Sequence, residues 1–77
     1  MPRNLYVIEY DFTILTVQLN ERPAENHRFV SDKFEEALAE YRRIKEIPDN
    51  LLGNSPVSNL KVYKAPLVEE VDMDPFL

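Results

Sequence analysis

From Ser31 to Ile47 the chain reads SDKFEEALAEYRRIKEI, a pattern that only a helix turns into a single apolar stripe. Phe34, Ala37, Leu38, Tyr41 and Ile44 recur at steps of three and four, so a 3.6-residue period puts them on one side. A stripe of that width must be covered, so the flanking residues have to supply a surface for it. Ser31 or Asp32 can accept the first free N–H groups, and Asp32 with Glu35 has capping-box spacing. Glu35 and Glu36 lie near the positive end of the helix dipole, and Arg42, Arg43 and Lys45 near the negative end. Pro48 stops the helix and disfavours helical angles at Ile47.

The covering surface reads as sheet. Asn4 to Leu19, NLYVIEYDFTILTVQL, is rich in β-branched and aromatic residues and contains no Gly or Pro. Tyr6, Ile8, Tyr10, Phe12 and Ile14 share one parity, whereas Leu15, Val17 and Leu19 take the other. That switch predicts two strands joined by a short turn near Asp11–Thr13, with one long bulged strand as the competing arrangement. Asn20 to Asn26, with Pro23, is expected to be a loop, and His27 to Val30 a short strand. The stretch DNLLGNSPVSN is irregular and can hold one helical turn that tucks Leu51 or Leu52 under the core. Leu60 to Ala65 is the last expected strand, with Leu60 and Val62 on one face, Lys61 and Tyr63 on the other, and Pro66 ending the pairing. The expected fold is therefore α+β: a small antiparallel sheet of three to four strands with one amphipathic helix packed across one face, in the order β-β-β-α-β. Residues 1–65 form this single domain, and residues 66–77 an acidic and hydrophobic C-terminal tail.

Seventy-seven residues allow one modest core, so a homodimer or an obligate partner is a reasonable expectation. The chain has no cysteine, which excludes thiolate metal sites, disulfides and a Cys nucleophile, and fits a reducing compartment. Gly53 is the only glycine, so no glycine-rich phosphate loop or dinucleotide fingerprint can be built. No apolar run approaches the roughly 20 residues that cross a bilayer, and no signal-peptide pattern opens the chain. A cytoplasmic location without membrane contact is the expectation.

The net charge is −5, and its placement is uneven. Glu69, Glu70, Asp72 and Asp74 give residues 65–77 a charge of −4, whereas ten acidic and nine basic side chains nearly cancel over residues 1–64. Direct nucleic-acid binding needs a clustered basic surface, which is missing, and a basic protein partner suits this distribution better. In VEEVDMDPFL the four carboxylates can steer a partner's basic groove while Met73 or Phe76 anchors in a pocket, with contributions from Glu9, Asp11, Glu21 or Glu25 if the fold gathers them. The plainer alternative is a frayed end, or a tail whose Val68, Val71 and Phe76 fold back on the body. Paired carboxylates on a mobile tail make a poor cation site, so a solvated acidic run is expected and no metal or cofactor is assigned. His27 stands without a Ser or carboxylate partner at recognisable spacing, and no residue is assigned a catalytic role. Tyr6, Tyr10, Phe12 and Tyr63 would need more flanking cations than Arg3, Lys61 and Lys64 to stack bases. They are expected to serve as core or as a subunit interface. On the helix, Arg42 with Glu46 and Glu40 with Arg43 are ordinary surface pairs.

Two resemblances rest on these residues. The end of the chain, Asp72 to Phe76, is similar to the acidic tip of bacterial single-stranded-DNA-binding proteins, although Leu77 follows the phenylalanine here. The short acidic chain, with strands before a SDKFEEALAEY helix and a strand after it, resembles small early phage proteins of host takeover. That resemblance implies a non-enzymatic inhibitor that covers a basic, nucleic-acid-binding site of a host protein such as a nucleoid protein, by DNA mimicry. The alternative it implies is an adaptor or inhibitor of host RNA polymerase, or of another complex, bound through hydrophobic sheet or tail residues.

Overall fold

A computed structural model describes residues 4–77. The strands are β1 (Leu5–Phe12), β2 (Glu25–Ser31), β3 (Val57–Ala65) and β4 (Glu69–Glu70), and the helix α1 (Phe34–Lys45) lies between β2 and β3. They form one antiparallel sheet in the order β2-β1-β3-β4. The architecture is the expected α+β sheet with a single helix on one face. The order of elements is β-β-α-β-β, because one strand forms where two were expected before His27 and a fourth forms after Ala65.

Alternation along β1 sorts its side chains between the two faces. Tyr6, Ile8 and Tyr10 turn towards the helix, and Leu5, Val7, Glu9 and Asp11 turn away. Cross-strand register then places Phe29 and Val62 beside Ile8 on the helix side. The core is Ile8 and Val62 from the sheet, Ala37, Tyr41 and Ile44 from α1, and Met73 from beyond β4. Phe34 and Leu38 flank it, so the whole apolar stripe is used.

Four local expectations need correction. No turn forms at Asp11–Thr13: β1 ends at Phe12, and the chain runs on as a hairpin arm that reverses between Thr16 and Asn20. Leu15 bridges Glu21 in this arm, and Leu19 has a left-handed φ of 62°. The bulge is real but sits in the partner strand. Between Glu9↔Lys61 and Asp11↔Ser58, β3 carries one residue more than β1, and Asn59 takes φ 53°, which asparagine tolerates better than most residues.

At the helix start Ser31 and Asp32 are not the N-cap. Lys33 holds that position without a side-chain cap, while the Ser31 hydroxyl accepts the Lys33 N–H and donates to Glu36. After the helix, the 48–56 connection makes a turn at Gly53, not a helical one. Leu51 and Leu52 stay exposed, the former at 88%, because Asn50 gathers the Leu52, Gly53 and Asn54 amides on the surface.

The boundary drawn at residue 65 also shifts. Residues 66–77 are not a free tail: β4 pairs with β3, the Val71 N–H bonds the Val62 carbonyl, and a 3₁₀ turn over 74–76 closes the chain against α1.

Candidate partner-binding surfaces

The six residues expected to bind a partner divide into two groups. Met73 is withdrawn from that set. It is 0% exposed and completes the core between sheet and helix, since its flexible apolar side chain fills a gap that Ile8, Val62 and Ile44 leave. Asp74 is tied down as well: the Tyr41 hydroxyl donates to it at 2.6 Å, and Lys45 lies 3.8 Å away. Burial and this bond together push the Tyr41 phenol up to about 12. Phe76 packs edge-to-face on Phe34 with ring centroids 5.1 Å apart, leaving about half of its surface to solvent. The Arg42 guanidinium donates to the Phe76 carbonyl and does not pair with Glu46, whereas the expected Glu40–Arg43 pair forms.

Glu69, Glu70 and Asp72 behave differently. All three are exposed, they lie within four residues of an edge strand and its continuation, and they make no ion pair among the described residues. Asp72 accepts the Asp74 N–H and so helps to shape the turn. Glu70 and Asp72 border an open pocket of about 410 Å³ whose other walls include Tyr41, Leu60 and Lys61. Because Met73 and Phe76 pin the segment from the inside, these carboxylates are held on a fixed frame.

The sheet face opposite the helix is a second surface, and it gathers Glu9 and Asp11 of the further carboxylates expected to contribute, but engages both in hydrogen bonds. Glu9 stands at its centre, only 8% exposed. Arg28 on β2 approaches it at 2.7 Å, Lys61 on β3 at 3.4 Å, and the Tyr63 hydroxyl donates to it. The Tyr63 hydrogen bond foremost, then the two cations, hold the Glu9 carboxyl below its usual range despite burial. In return Glu9 raises the Tyr63 phenol. One step along the strand, Asn59 and Asn26 donate to the two oxygens of Asp11, and these bonds lower its pKa too. The alternation of β1 foretold which side chains point this way; the partners that β2 and β3 bring to them depend on register, which a single chain does not reveal. These carboxylates are satisfied and screened, so the network braces the sheet and offers no free acid or base. Around it Val30, Leu67 and Val68 are exposed, and Val7 is covered by its strand neighbours.

The aromatic residues do not make a stacking platform. Tyr6 and Tyr10 face the helix side, where Tyr6 meets Phe34 and Tyr10 stacks on His27, while Tyr63 is on the opposite face. Arg3, one of the cations considered beside them, lies outside the described residues. His27 is an exposed strand residue 3.8 Å from Glu25, with Phe12 edge-on to its ring. Among the described residues no cluster of three or more His, Asp or Glu is placed to hold a metal ion. Among the described residues no helix is long and apolar enough to cross a membrane. Comparison with protein-family models, with curated proteins and with solved structures gives no match.

Proposed function

We propose that this chain is a non-enzymatic interaction module that covers a basic surface of another protein, the mode implied by its resemblance to small acidic phage inhibitors. The observation that carries the reading is the placement of Glu69, Glu70 and Asp72. They make no ion pair among the described residues and stand on one sheet edge, held from beneath by Met73 and Phe76. A preorganised strip loses less entropy on binding than a flexible acidic tail would. The imitation of nucleic acid is local. A net −5 spread over 51 Å is about one charge per 10 Å, against about one per 1.7 Å for duplex DNA. The body as a whole is too dilute in charge to pass for a duplex. Along the edge, three carboxylates fall within four residues, a span of about 10 Å at about 3.3 Å per residue, or about one charge per 5 Å, against about 3.4 Å per phosphate of a single strand.

The alternative of a hydrophobic adaptor draws on the bare sheet face with Val30, Leu67 and Val68. One experiment separates the two: a pull-down from nuclease-treated bacterial lysate, washed through a salt series, with wild-type chain and a Glu69→Gln, Glu70→Gln, Asp72→Asn variant. Charge-driven binding predicts a basic nucleic-acid-binding partner that is released as salt rises and is lost with the variant. A partner retained in high salt by both proteins would sink this reading in favour of the adaptor.

A further inference from the structure

We propose that the hairpin arm, residues 13–24, together with the 48–54 loop is a self-association surface that pairs two copies of this chain. The inference goes beyond the charge-binding reading and uses different residues. Ile14, Val17, Leu19, Leu51 and Leu52 are all exposed, Val17 at 97%, and they account for half of the exposed large apolar side chains among the described residues. They are gathered at one end of the molecule. The Thr13 N–H bonds the Pro56 carbonyl, and Asn54 donates to Glu21, so arm and loop form one unit.

The chain that carries this end is long and thin. Its radius of gyration is 14.2 Å where about 11.5 Å is usual for the length, and the extents are 51 × 23 × 16 Å. It exposes 5688 Å², whereas a compact monomer of 9.1 kDa is expected to expose about 4900 Å². The excess, roughly 800 Å², equals what one partner contributes to an interface of standard size.

Charge selects the occupant. Glu21 and Arg22 cancel within the arm and Asp49 is the one charged residue of the 48–54 loop, so each copy brings a charge of only −1 to the joined surface. The 66–77 segment carries −4 and opposes a like copy. Strand pairing puts the two at opposite ends, since the arm continues from Phe12, opposite Val57, while the turn into β4 follows Ala65, opposite Leu5. A dimer joined by its arms therefore points its two acidic edges outwards.

The test is the solution mass of the full chain by light scattering across a concentration series. Beside it run Val17→Asp with Leu51→Asp, and separately Val68→Asp at the far end. The expected result is a wild-type mass near twice that of the chain, at least a tenfold weaker dimer in the arm variant, and an unchanged dimer for Val68→Asp. Because Val17 and Leu51 touch little, circular dichroism of the arm variant should match wild type. A wild-type chain that stays monomeric at every concentration overturns the proposal. So does a dimer that resists the arm substitutions or is lost with Val68→Asp.

Discussion

Residues 13–24 and 66–77 are segments of equal length that leave opposite ends of the same sheet, and they meet opposite fates. The first holds Ile14, Leu15, Val17 and Leu19 with balanced charge, yet it runs into solvent. The second holds four carboxylates, yet its Met73 is as deeply buried as Ile8. Apolar content does not decide which one docks; reach does. Pro66 ends β3 beside the half of the sheet that α1 leaves uncovered, and a short return lays Val71 and Met73 into that gap. The arm departs where neither helix nor strand extends far enough to cover it.

The difference can be put to measurement. Met73→Ala should cost about 2–5 kcal/mol in urea unfolding, the range for a fully buried methionine. A loss below about 1 kcal/mol would mean that the segment is only loosely seated. Tyr41→Phe should cost about 1.5 kcal/mol through the bond to Asp74. The same contact carries a pH signature. Burial and the Asp74 bond push the Tyr41 phenol from its ordinary 10.0 up to about 12, so its contribution is complete below pH 10 and is lost as pH rises through about 12. Wild type should therefore lose stability over that window faster than Tyr41→Phe, and equal slopes would sever the link between Tyr41 and the segment. The smallest effects compare two exposed side chains. Phe76→Ala should cost about 1 kcal/mol for its ring contact with Phe34, whereas Val17→Ala in dilute monomer should stay within about 0.5 kcal/mol. Reversal of that order would remove the contrast between the two segments.

The helix and the sorting of β1 and β3 residues between faces were legible because a period constrains many positions at once. Ile8, Ala37, Tyr41, Ile44 and Val62 all follow from it. Met73 does not, because an isolated apolar residue among carboxylates has no period, and only the position of the gap gives it a role. The same limit explains the arm. The parity change after Ile14 was visible, but it marks the end of the sheet and not a second strand inside it. At the candidate site Glu69, Glu70 and Asp72 were recognisable from charge alone. Their rigidity was not, since it depends on what lies beneath them. The clamp on Glu9 was hidden for the corresponding reason: Arg28 and Lys61 are remote in sequence and become neighbours only through the register of three strands.

The late position of Met73 has a consequence for synthesis. By the time Lys45 has left the ribosome, β1, β2 and α1 are available, but β3 and the residue that fills the last gap in the core are not. Until residues 66–77 dock, Ile8, Ala37 and Ile44 surround an unfilled hollow. Chaperones and proteases sample the chain in that interval. How long the core stays open is therefore set by how quickly a segment that looks like an afterthought docks.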